Sequence, residues 1–358
     1  MKISDLSKVS TKSDLHAIPP GLWRKIYVAY SYIARNRLRT LIMLSILLLS
    51  SLSEGIGVMS LILVLKIVMN DVGNMDSQTG VETKFSEFVN RYEIFDDLRL
   101  MLLIVVGAIF MKAMFEMAGK TYISRIQMNL IADSKLGLLR EVANARWSYF
   151  IGYKLGRFVT ALNEESKSGP AIYNASLQFV AALFTLIVYL TISLILSWEL
   201  TVAIILCSIA ILVLLSGFIR LAERLSYKGA ELNRSIAGRL ADGLSGIKSL
   251  KSMGLTEYLI PLIRKEIRSL MRTHFLSAVA SNGLKYSRDP IVAIVVGIGL
   301  YFAVTSNFAD SSVIIGMVVL FHRANTGIGQ LQGLYQTIAK SEGNFFSFQE
   351  LLLSAKEN

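Results

Sequence analysis

One cysteine, three histidines and five prolines stand in 358 residues. The lone Cys207 lies in an apolar run, so no disulfide framework is available. His16 and His274 have no partner pattern, and no metal-ligand spacing occurs. A phosphate-binding loop needs G-x-x-x-x-G-K-[ST] after a strand, so that backbone amides can cradle phosphates. "GKT" occurs at Gly119-Lys120-Thr121, but Met114 stands where the first glycine must be. No strand-rich half follows that could form an ATPase domain. No cleavable leader is expected, because the first 20 residues are polar and end in Pro19-Pro20. Acids are scarce, 26 against 37 Lys and Arg, for a net charge of +11.

What is abundant is apolar. Hydrophobic residues make up 53% of the chain, and the mean hydropathy is +0.52. Runs of about 20 apolar residues can cross a bilayer core of roughly 30 Å as helices. Six such spans are expected, at about 40–67, 98–117, 172–198, 200–219, 290–306 and 311–330. The basic excess then falls where topology puts it. Residues 1–39 hold eight basic and two acidic residues. Residues 71–97 hold two basic and seven acidic. The long loops 118–171 and 219–290 hold eight against four and thirteen against six. Loops rich in Lys and Arg stay in the cytoplasm. Both termini and both long loops are therefore expected in the cytoplasm of a bacterial inner-membrane protein. The charge is membrane topology, and nucleic acid is excluded as a partner.

The chain divides into a polar tail at 1–20, an interfacial helix at 21–39, a six-helix body at 40–340 and a C-terminal connector at 341–358. On the interfacial helix, Trp23, Ile26, Tyr27, Tyr30 and Ile33 share one face among basic residues. Leu221, Leu225, Leu232, Ile236, Leu240, Leu244, Ile247 and Leu250 form an amphipathic stripe. It predicts an unbroken helix from 219 to about 253, roughly 50 Å long at 1.5 Å per residue. Gly254 would end it. Thr256 would then cap a short crosswise helix, with Glu257 in its first turn and Pro261 near its start. The first loop reads alike. Its tip, "RWSYFIGYKLG", carries Trp147, Tyr149, Phe150, Tyr153, Gly152 and Gly156. Aromatics at a tip far from lipid suggest a protein partner; the alternative is packing inside the hairpin.

An ionisable side chain at mid-bilayer costs about 2.5–3.5 kcal/mol on insertion scales and usually faces a cavity or a partner. Glu54 stands near the centre of the first span, and Arg323 lies in the sixth between His322 and Asn325. Asn282, Lys285 and Arg288 recur every third residue at the inner end of the fifth. Together they suggest a positively lined cavity for an anionic, amphipathic substrate such as a phosphate-bearing lipid. The alternative makes Glu54 and Arg323 structural partners and lets Lys285 and Arg288 snorkel. Lys112 and Glu116, four apart, read as an intrahelical pair.

These residues resemble the membrane domain of type IV ABC exporters, with six helices and domain-swapped arms. At the first tip the family pattern stands as Tyr149-Phe150, Gly156 and Asn163-Glu164-Glu165. At the second it stands in "DGLSGIKSLKSMGLTEY", with Gly246, Ile247, Lys248, Lys251, Gly254 and Glu257 in place. The closing "FFSFQELLLSAKEN" resembles the connector before an ATPase domain. The resemblance implies an all-α membrane fold with a coupling helix at each tip. It implies docking of Trp147, Tyr149, Phe150, Gly156, Gly254, Thr256, Glu257 and Tyr258 on a nucleotide-binding ATPase, with Tyr258 as an anchor. It implies ATP and Mg on that partner, no cofactor in this chain, and a homo- or heterodimer of membrane domains. Two other classes stay open. One is a stand-alone proton-driven transporter with Glu54 as proton carrier. The other is a membrane sensor or assembly factor that transports nothing.

Overall fold

The computed structural model describes residues 37–68, 98–147, 149, 155–254, 256–305 and 311–357. The N-terminal tail, nearly all of the interfacial helix, the acidic loop 71–97, Phe150 and the turn 306–310 lie outside the described residues. So do the side chains of Thr256 and Tyr258.

The described residues are almost wholly helical. α1 is Arg37–Val68, α2 Leu98–Asn144 and α3 Leu155–Asn163. A single 3-10 turn, Glu165–Lys167, leads into α4, Ser168–Leu196. α5 is Trp198–Ser245, α6 Ile247–Ser252, α7 Thr256–Thr305 and α8 Ser311–Glu357. At 1.5 Å per residue, α5 and α7 are each roughly 70 Å long, more than twice a bilayer core. Four stretches among the described residues are apolar enough over a long enough helix to cross a membrane. They lie within Leu38–Ile62, Leu102–Asn144, Gly156–Leu196 and Trp198–Leu240. The span expected at 290–306 falls within α7 as far as Thr305, that at 311–330 falls within α8, and neither is among those four.

α1 packs along α2, α4 along both α8 and α1, and α5 along α7. Met43, Ile123, Tyr173 and Leu177 bring α1, α2 and α4 together. Ile62, Tyr189 and Leu320 join α1, α4 and α8. The α5–α7 pair is a second arm, joined to the first group around Ile211, Leu215, Val292 and Phe321. Apolar contact alone does little to hold helices together in lipid, because the tails are as apolar as Leu. Interhelical hydrogen bonds add to it. Thr40 meets Tyr173 at 2.8 Å, Ser51 meets Thr185 at 2.7 Å, and Ser193 meets Thr201 at 2.8 Å. Each is worth about 0.6 kcal/mol in such surroundings.

Two features of the second hairpin differ from expectation. The leg predicted to be unbroken is interrupted at Gly246, between α5 and α6. Gly243 and Gly246 weaken the helix there, each by about 1 kcal/mol relative to alanine. Gly254 does end α6, at a φ of 70°, where a side chain would be strained. The short crosswise helix is absent as a separate element. Thr256 begins α7, which runs straight on to Thr305. Between Gly254 and Gly283 there is no glycine to stop it, and Pro261 stands only one turn inside its start.

Candidate functional site

α4 contributes a line of polar side chains to the packed group. Asn174 Nδ2 donates to Gln127 at 2.6 Å, and Gln178 Nε2 donates to Asn174 at 2.6 Å. Thr185 follows two turns on, and Tyr189 one turn after that. Gln178, Thr185 and Tyr189 wall one side of a cavity of about 200 Å³. α1 closes it with Ser51 and Glu54, α2 with Lys112 and Lys120, and α8 with Arg323 and Gln330.

Glu54 is the hub. Its carboxylate pairs with Lys112 of α2 and, at 3.4 Å, with Arg323 of α8. The carboxylate side chain is only 13% exposed, whereas Arg323 is 50% exposed. Lys112 therefore does not pair with Glu116 as its spacing suggested. Glu116 pairs with Lys120 instead, one turn further along α2. The reason is geometric. Lys112, Glu116 and Lys120 recur every four residues, so Glu116 can take either neighbour. A carboxylate in the middle of α1 has no cation within ten residues on its own helix and takes Lys112.

The structure brings Glu54 and Arg323 together and leaves most of the other expected cavity residues apart from them. Asn325 is buried and bonds Phe321 of its own helix at 3.1 Å. Arg288 donates to the Asn325 carbonyl at 3.3 Å and to Gln332. This contact needs Gly329, where an added Cβ would fall 1.6 Å from the guanidinium. Arg288 thus ties α7 to α8. Asn282, Lys285 and His322 are exposed, and Lys285 lies 5.3 Å from the ring of Tyr286. The contribution of Gln178, Thr185 and Tyr189 was missed from sequence. Asn174, Gln178, Thr185 and Tyr189 are spaced by four, seven and four, which keeps them on one helical face, and that spacing is the signal that could have found it.

At the first tip the aromatics divide. Trp147 is 78% exposed. Tyr149 is buried, 6.0 Å from the ring of Phe158, and its hydroxyl meets Ser354 at 2.9 Å. It packs against the C-terminal part of α8, among Leu138, Ala161, Phe348 and Leu351. Arg157 pairs with the buried Glu165 at 2.6 Å and also donates to the Ser347 hydroxyl at 2.6 Å and carbonyl at 3.2 Å. The acid that the family pattern puts at the end of this leg is thus an anchor for α8. Gly156 is the second residue of α3, beside it. At the second tip, Glu257 is exposed in the first turn of α7.

Long apolar helices, a charged cavity between four of them, and helical legs far beyond any bilayer define a multi-pass membrane protein. The family is shown by its match to the ABC transporter transmembrane region over residues 43–324: the chain belongs to it. It is also similar to the heterocyst differentiation ATP-binding protein HepA of Nostoc sp. (strain PCC 7120), at 21% identity over 160 residues. That match covers 45% of this chain and 26% of the relative, so the chain spans about a quarter of that protein's length. The membrane region of this family carries no ATPase site of its own.

Proposed function

We propose that this chain is the membrane-spanning part of an ATP-driven exporter or flippase that works as a dimer and moves an amphipathic, anionic substrate by alternating access. The charged cavity among α1, α2, α4 and α8 carries this reading. Five ionisable groups at membrane depth are costly unless they face a partner or a path, and here they line a space. Family membership supports the ATP-driven part. ATP and Mg would be bound by a separate or attached nucleotide-binding domain, whose closure moves the two tips. The exposed Trp147 and the start of α7 at Thr256 and Glu257 supply the docking surface. In the full assembly six helices span the inner membrane and both termini face the cytoplasm.

The test is co-reconstitution of the chain with the ATPase that co-purifies with it. ATP-dependent movement of a fluorescent anionic lipid across the bilayer is the expected result. Uptake driven by a proton gradient without any ATPase would instead establish the stand-alone transporter.

A further inference from the structure

The cavity is not electrically neutral. Lys112, Lys120 and Arg323 face Glu54 and Glu116, leaving one positive charge in excess. Its placement is specific. Glu116 and Lys120 neutralise each other near one end. At the other, a single carboxylate serves two cations. Arg323 has the poorer share, with one contact at 3.4 Å among the described residues. A guanidinium has five N–H donors in a fixed fork that fits a carboxylate or phosphate with two parallel bonds. Half of this side chain is exposed.

The geometry points to a binding site for one anionic phosphate or carboxylate headgroup, held by Arg323 and Lys112, in which Glu54 is the internal counter-ion that the ligand displaces. Glu54 holds the two cations in place while the site is empty, which avoids two like charges with no counter-charge in a poorly solvated space. An arriving anion takes the fork of Arg323 and a share of Lys112. Gln330 and Thr326 of α8 and Gln178 of α4 line the same space and offer further polar groups to an oxygen-rich headgroup. A zwitterionic headgroup carries its own cation into this positive field and is disfavoured. The site would be the substrate site of the proposed transporter, and that role rests on the transporter reading; binding does not.

The two cations and the carboxylate then act in opposite directions on affinity. This separates displacement from a simple structural triad. The purified full chain in phosphatidylcholine nanodiscs is titrated with dioctanoyl phosphatidic acid, with dioctanoyl phosphatidylcholine and with glycerol phosphate. Dioctanoyl phosphatidic acid should bind at least about tenfold tighter than the choline lipid, the scale of one nearby unit charge in a partly solvated site. Glu54→Gln should tighten it by about tenfold, and Arg323→Gln should weaken it by about tenfold. Arg323→Lys keeps the charge but loses the fork, and should fall between wild type and Arg323→Gln. Equal affinity for the two lipids would overturn the site, as would weakening in both Glu54→Gln and Arg323→Gln. Where a variant is not monodisperse, the wild-type comparison between the two lipids decides alone. Glycerol phosphate binding as well as the lipid supports a headgroup-only ligand; binding of the lipid alone supports a lipid source. ATP-driven transport by a chain that binds both lipids equally would sink this site and leave the transporter reading standing.

Discussion

Arg157→Ala should loosen the end of α8 as well as the turn where Arg157 sits. Glu165 is 2% exposed and faces Arg157 at 2.6 Å. Its second oxygen has no hydrogen-bond partner among the described residues. Removing the guanidinium leaves a buried carboxylate with no counter-charge, which costs about 3–5 kcal/mol. It also releases the Ser347 hydroxyl and carbonyl. Glu165→Gln is milder, because the guanidinium left behind is partly exposed and water can reach it; about 1–3 kcal/mol is expected. The paired change Arg157→Met with Glu165→Leu should recover much of the loss, since neither buried charge remains.

Hydrogen exchange of the purified chain reads this locally. At 1.4 kcal/mol per tenfold, Arg157→Ala should speed exchange of the amides around Ser347 by roughly two to three and a half orders of magnitude, up to the limit set by global unfolding. The Tyr149–Ser354 bond lies two turns further along the same helix, so protection there should fall too. Faster exchange at 164–167 with no change at 345–355 would show that the ion pair is local, and that the first tip and the end of α8 do not form one body.

Three further outcomes are expected. Trp147→Ala should weaken association with the ATPase by about 2 kcal/mol, roughly thirtyfold in Kd, if this exposed ring is an anchor; unchanged Kd in a titration would remove it from the docking surface. Gly254→Ala should destabilise the α6–α7 junction by about 1–2 kcal/mol, because φ there is 70°; unaltered exchange at 250–258 would refute the strain. In a background lacking Cys207, cysteines placed at Ser77 and Asn233 should be labelled by an impermeant maleimide from opposite sides of the membrane, and labelling of both from one side would end the six-span topology.

The helical body was legible because its signals are long and redundant. Six apolar runs in the sequence and a spacing of three and four residues leave little else than helices. Glu54 and Arg323 were legible as partners for an energetic reason: a charge at that depth needs company, and few charges share it. What was not legible is which neighbour wins. The sequence around Lys112 allows two pairings of nearly equal local geometry, and only the approach of α1 decides. Tyr149 failed as an exposed anchor for the same reason. Its burial depends on Phe348 and Leu351, two hundred residues away, and no period within the first loop reports them. Gly246 was misjudged because an apolar stripe continued through it. The pattern records which face is buried, and says little about where a glycine lets the axis break.

The α5–α7 arm is the part of this chain whose surface is least explained by the chain itself. Ile263, Leu270, Thr273 and Ala280 are buried. On the opposite flank Ile267, Met271, Phe275 and Val279 are exposed, each four residues from the next. They stand one above another on a straight helix. In the proposed topology lipid would not cover them all. Val279 lies roughly 16 Å before the apolar run that starts near 290, and Ile267 roughly 34 Å, counted along the axis. In the proposed topology this row stands in water, and large apolar side chains in such a row would suit another protein. An ATPase docked on the tip at Thr256 would reach the near end of this row, but a partner covering its whole length must itself be elongated and lie alongside. A second membrane domain in the proposed dimer has that shape. The same arm that leaves α1, α2, α4 and α8 so lightly attended within this chain would then be free to complete another copy.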